Sequence, residues 1–166
     1  MADLLAEIGL EATFFARVNS DEMYLKLLDR DMEFVWKPGF VSRLNESSNE
    51  NAQLDTDGKQ IFAHLMYDHY TPPWFILTDY VKKDLINNYD HNDDENWFTF
   101  IDGQIDSYRT RNALVMWGDD FSHINASTSL LMAEHIIRGL NRSSRNLGKY
   151  RVKFSTMEQY LESVYS

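Results

Sequence analysis

The chain has 166 residues and a formal net charge of −10 at pH 7. Its 43% hydrophobic content excludes disorder, and its acidic balance excludes a face built to neutralise nucleic-acid phosphates or an anionic membrane surface. It has no cysteine, so a disulfide framework, a thiolate nucleophile and Cys-ligated zinc are excluded too, and no apolar run approaches the roughly 18 residues that span a bilayer.

Met1-Ala2-Asp3 opens on an acid, so no signal peptide is read at this end. Residues 2–8 read as a helix stopped by Gly9. Residues 12–18 are aromatic and β-branched without a turn residue, which predicts a short buried strand. Ser20 then suits an N-cap, with Asp21 and Glu22 in the first turn where carboxylates favour the helix dipole. Tyr24, Leu27, Leu28, Met32 and Val35 recur at helical spacing, which predicts a helix running to Pro38-Gly39. Residues 41–57 are polar and read as a surface loop. Asp57 with Gln60 resembles a capping box and predicts a helix that Pro72-Pro73 must stop.

Residues 79–106 hold eight acids and two lysines. Asp90 to Glu95 is the densest part, and it lacks the glycine and final glutamate of an EF-hand loop, so it reads as solvated rather than calcium-binding. A helix follows from about Glu95 to Tyr108. Residues 112–117 give the clearest buried strand, running straight into Gly118-Asp119-Asp120-Phe121. Ser127 caps another helix, with Leu130, Ala133, Ile137 and Leu140 on one face. Six basic residues and no acid lie from Arg138 to Lys153, read as a solvated helix end and loop. Residues 151–154 read as a third strand, and Ser155 with Glu158 as the capping box of a last helix carrying Met157, Tyr160, Leu161 and Val164 inward.

Strands alternating with helices imply a parallel α/β sheet or barrel. Three strands are too few to close one, so the expected fold class is α/β, with the chain a segment of a larger domain. In such folds the active residues sit at the C-terminal ends of strands. Two places qualify: Arg17 to Asn19, and Asp119-Asp120. Two acids behind a buried strand are costly unless solvated, paired or used. Neighbours on an extended segment point to opposite faces, so the two are not each other's catalytic partner. His64 and Asp68 at i, i+4, beside His69, have a spacing that places two metal ligands on one helix face; packing against Pro72-Pro73 is the plainer reading. Tyr70 serves either as a sugar platform or as packing for the prolines. Aromatics at 14% fit a sugar ligand or simply a ring-rich core. Three Asn-x-Ser sequons, at Asn45, Asn125 and Asn141, are a weak pointer to a secretory route.

Several segments resemble glycoside hydrolase family 38 α-mannosidases. Leu4-Leu5-Ala6-Glu7-Ile8-Gly9 with Phe14-Phe15-Ala16-Arg17 resembles the strand after that family's nucleophile motif. Met32-Glu33-Phe34-Val35-Trp36 resembles its E-x-V-W helix end. His69-Tyr70-Thr71-Pro72-Pro73 resembles its Y-x-P-P loop. Tyr108-Arg109-Thr110, Gly118-Asp119-Asp120-Phe121 and Asn125-Ala126 resemble its Y-R-T and G-[SD]-D-F-x-x-x-N-A segment. Order and spacing hold over essentially the whole chain, closest to the lysosomal type.

The resemblance implies a seven-stranded β/α barrel, of which this chain is a partial, parallel segment covering residues 1–166. It implies hydrolysis of α-mannosides with retention, on mannose-containing oligosaccharides, in the lysosome or secretory pathway. It assigns Asp120 as general acid/base, and Asp119, Arg17 and Tyr70 as substrate-binding. It implies zinc in the full-length family, but the upstream H-x-D, the I-D-P-F-G-H-S nucleophile segment and the downstream zinc His are not in this chain. His91-Asn92-Asp93 has the H-x-D letters out of order, so no residue here is assigned to metal. The expected partner is then the remainder of its own catalytic domain, and the chain alone is expected to be inactive. The alternatives are a non-catalytic carbohydrate-binding remnant and an interaction domain without a sugar site. Sequencing the gene on both sides separates them: the missing segments in frame are expected, whereas stop codons there would mark a remnant.

Overall fold

The computed structural model describes residues 2–37, 60–77, 93–118, 120 and 126–166. The chain begins with helix α1, Ala2–Glu7, then strand β1, Ala12–Phe15. Helix α2, Ser20–Leu28, starts one residue earlier than expected: Asn19 rather than Ser20 is the N-cap, and its side chain accepts from the Asp21 amide at 2.9 Å. This helix does not run on to Pro38. Arg30 adopts a left-handed conformation (φ 55°) just after it. The Arg30 guanidinium donates to the carbonyls of Ile105 and Tyr108, at 3.2 and 2.7 Å. A cation is favourable at those carbonyls, which close the helix before them.

The residues expected to end that helix instead form strand β2, Glu33–Trp36, and the helix expected up to Pro72 is strand β3, Ile61–Leu65. The Asp57 cap lies outside the described residues. Strand β3 is central in the order β1-β3-β2. It runs parallel to β1, pairing Ala12 with Phe62 and Phe15 with Leu65, and antiparallel to β2, pairing Glu33 with His64. The chain is therefore mixed α/β, and one of its two strand pairings departs from the all-parallel expectation. Every residue of β3 is buried, as befits a strand covered on both faces.

After β3 come the short helix α3, Trp74–Leu77, and helix α4, Asp93–Ser107. The densest acidic residues thus begin a helix from Asp93 on, while residues 90–92 lie outside the described set. Helix α5, Ala126–Arg142, buries Ser129, Ala133, Ile136 and Leu140, a face rotated from the expected one; Leu130 is exposed. Helix α6, Met157–Tyr165, is capped by Thr156 and Gln159 rather than by Ser155 and Glu158. One apolar cluster joins Phe75, Ile76, Trp97, Ile136 and Leu140; another joins Met32, Leu65 and Tyr108.

Two expected strands are not strands. Residues 112–118 have no ladder; Gln104 donates to the Leu114 carbonyl (3.4 Å), and the Asn112 side chain ties the stretch to the last helix by donating to the Ser163 carbonyl (2.8 Å). Val115 and Trp117 pack on the first cluster. Residues 151–154 also lack a ladder. Asn141 takes the place of a partner strand: its Oδ1 accepts from the Val152 amide, and its Nδ2 donates to the Val152 and Ile137 carbonyls. The basic run meets the acidic helix. Arg145 pairs with Glu95 at 3.2 Å and Lys149 with Asp102 at 2.7 Å. These pairs line an open cleft of about 420 Å³, where Tyr150 also donates to Asp102. The Lys149 contact, then that of Tyr150, holds the Asp102 carboxyl below its usual range.

A buried polar knot joins three elements. Glu33 Oε1 on β2 accepts from the Tyr160 hydroxyl on α6 at 2.7 Å and lies 2.9 Å from His64 Nδ1 on β3. The Tyr108 ring stacks on His64, and its hydroxyl donates to the Leu65 carbonyl at 2.6 Å. Next in the chain, Arg109 reaches back to Asp31 at 2.9 Å. Burial holds the Tyr108 and Tyr160 hydroxyls protonated well above the usual tyrosine range, and the Glu33 carboxylate adds to this. Because the folded state keeps these protons more tightly, their contribution is complete below about pH 10 and is lost as pH rises beyond it. Tyr160→Phe is expected to destabilise the chain by about 1–3 kcal/mol near neutral pH and to flatten the alkaline fall in the urea midpoint. An unchanged midpoint at neutral pH would show that the hydroxyl holds nothing.

Candidate active site

The loop of residues 66–73 leaves the C-terminal end of β3, beside the C-terminal end of its parallel neighbour β1. Parallel strands open toward this end, where the strand tips and following loops converge on a ligand. Pro72 and Pro73 are fully buried and fix where the loop returns to the core. Arg17, two residues beyond β1, is exposed and donates through Nε to His69 Nε2 at 3.0 Å. The His69 ring lies against Tyr70, with centroids 4.0 Å apart. The Tyr70 hydroxyl donates to Asp120 Oδ1 at 3.1 Å. Arg17, Tyr70 and Asp120, assigned from three separate segments, therefore converge. Asp119 lies outside the described residues.

Gly118 sets the approach of the aspartate segment to this loop. A Cβ built there would meet the Tyr70 carbonyl oxygen at 2.7 Å, a distance only glycine permits. The two backbones are thus in contact immediately before Asp119-Asp120. Trp117 is fixed beside them by its indole N–H, which donates to Ser129 Oγ at 2.9 Å.

Two residues of this arrangement were not assigned by sequence. His69 stands in the sequence as a companion to a supposed helical metal pair and at the head of the Y-x-P-P segment, and Gly118 only within a motif, neither with a site role. The helical premise fails: His64 is buried on β3 against Glu33, and Asp68 is exposed in the loop. Among the described residues no three or more His, Asp or Glu side chains gather as a metal site. The usable signal is the His69-Tyr70 pair shortly after an apolar run, in a loop closed by two prolines.

A parallel strand pair thus gathers a guanidinium, a tyrosine and a carboxyl group beyond its C-terminal edge, where α/β folds place their ligand sites. Residues 1–166 match the N-terminal domain of glycosyl hydrolases family 38, and the chain belongs to that family. It is 25% identical to lysosomal alpha-mannosidase of Cavia porcellus, over 96% of this chain and 16% of that protein. It is 25% identical to lysosomal alpha-mannosidase of Dictyostelium discoideum, over 98% of this chain and 15% of that protein. For the Homo sapiens lysosomal alpha-mannosidase the figures are 23%, 96% and 15%. The chain spans about a sixth of the length of these curated relatives.

Gly118→Ala is expected to lower stability by about 1–3 kcal/mol in urea unfolding, because the new methyl group meets backbone rather than a movable side chain. A neutral substitution would show that the two backbones do not touch.

Proposed function

We propose that the chain is part of the catalytic domain of a retaining α-mannosidase that acts on mannose-containing glycans, and that β1 and β3 are neighbouring strands of a parallel β/α barrel completed by other segments. The observation that carries the reading is the Tyr70–Asp120 hydrogen bond at 3.1 Å, with Arg17 held two contacts away. It supports the carboxyl role assigned by resemblance, since a hydroxyl donor orients one oxygen of the group.

In this reading Asp120 is the general acid/base. Its proton passes to the leaving oxygen as the bond from that oxygen to the anomeric carbon breaks and a nucleophilic carboxylate, supplied by another segment, bonds to that carbon. Asp120 then takes a proton from water as the water oxygen displaces the carboxylate, which restores the starting configuration. Arg17, Asp119 and Tyr70 bind the mannoside. Zinc, held by segments outside this chain, belongs to the family reading and would orient sugar hydroxyls; the described residues do not form its site. The lysosome or secretory pathway is the matching compartment. The apolar side chains exposed on the first two helices, Leu4, Tyr24, Leu25 and Leu28, are surface for the rest of that domain to cover.

The test is hydrolysis of an aryl α-mannoside, with zinc added, by the 166-residue chain and by the longer product of its gene. No turnover is expected from the chain alone. Turnover is expected from the longer product, falling by roughly 10²–10⁴-fold on Asp120→Asn. Turnover by the chain alone would overturn the partial-domain reading, and an Asp120→Asn variant of wild-type rate would overturn the role of Asp120.

A further inference from the structure

We propose that His69 is a positioning residue of this site: its imidazole fixes the Arg17 guanidinium through Nε2 and braces the Tyr70 ring, whose hydroxyl sits on Asp120. The inference rests on the reading of Arg17, Tyr70 and Asp120 as the mannoside site.

Three observations carry it. First, an Arg Nε–H can only donate, so His69 Nε2 must accept, and the ring is neutral with its proton on Nδ1. Second, that Nδ1 atom is shut off from solvent and has no hydrogen-bond partner among the described residues. An unpaired buried donor costs about 1–3 kcal/mol, so a histidine with this geometry is a poor choice for stability alone. Third, the ring spans the gap between the two halves of the site. One edge receives Arg17, from beyond β1; the ring centroid lies 4.0 Å from that of Tyr70, tilted by 47°, in the loop after β3.

The consequence for Arg17 is specific. Its Nε is spent on His69, and its two Nη groups make no hydrogen bond to any described residue. An exposed arginine ordinarily samples many rotamers, and ordering it on binding costs about 0.5–1.5 kcal/mol. The histidine meets that cost before ligand arrives, leaving the two Nη groups of a fixed fork to meet ligand oxygens.

Two substitutions separate the two contacts. His69→Gln keeps an acceptor close to the place of Nε2 and discards the ring. His69→Phe keeps a ring against Tyr70 and discards the acceptor. Three measurements on the 166-residue chain are compared: urea unfolding, exchange of the Arg17 Nε–H followed by ¹⁵N NMR, and affinity for methyl α-mannoside by calorimetry. Neither variant is expected to be less stable than wild type. In His69→Phe the Arg17 Nε–H is expected to exchange about tenfold faster and mannoside affinity to fall about tenfold, with His69→Gln nearer wild type in both. Wild-type exchange in His69→Phe overturns the proposal, as does a loss of stability in both variants with exchange unchanged, the mark of an ordinary packing residue. Exchange that responds as expected in a chain that binds no mannoside supports the Arg17–His69 contact and removes the mannoside reading instead.

Discussion

The fold hangs on one buried carboxylate. Glu33 is 7% exposed, and a single oxygen of it meets His64 from the central strand and Tyr160 from the last helix. An uncompensated charge in such a place would be prohibitive, so the three residues stand or fall together. Tyr108 completes the knot by stacking on His64 and by taking the carbonyl of Leu65, the last residue of the strand. That carbonyl is where the ladder stops and the loop bearing His69 and Tyr70 departs. The position of the candidate site is thus set from beneath by groups that lie outside it.

Local signals identify most of the helices and little of the sheet. The acidic first turn of the second helix, the cap before the last one and the 95–108 helix follow from short-range chemistry, with caps displaced by one residue. The strand at residues 12–15 also follows from its aromatic and β-branched content. The central strand does not. Ile61-Phe62-Ala63-His64-Leu65-Met66 is apolar but for His64, and a strand buried on both faces has no alternation to distinguish it from a buried helix. Met32 and Val35 happened to extend a helical spacing, while the real stop was the left-handed turn at Arg30, fixed by carbonyls more than seventy positions away. Residues 112–117 and 151–154 have the composition of strands, but side chains take the Leu114 carbonyl (Gln104) and both backbone groups of Val152 (Asn141), a choice no local pattern encodes.

The site was more legible than the scaffold that holds it. Arg17, Tyr70 and Asp120 are named by motif resemblance alone and lie in one line of contacts, without correct strand assignments, because a motif fixes residue identity while the architecture is carried by contacts distant in sequence. What motif reading missed is what geometry adds. Gly118 admits the close approach of two backbones, and His69 links a guanidinium to an aromatic ring. Neither has a charge pattern or a periodicity that would single it out.

The amide of Asn141 has a consequence of another kind. Asn141-Arg142-Ser143 is an acceptor sequence for N-linked glycan, yet both hydrogens of its Nδ2 are committed in the folded chain, one toward Ile137 and one toward Val152. Attaching a sugar replaces one of those hydrogens. Glycosylation and the native brace of residues 150–154 therefore compete for the same nitrogen. In a secretory compartment the outcome would be a race between the transferase and the docking of Val152 on Asn141, and a chain that folds first would erase its own modification signal.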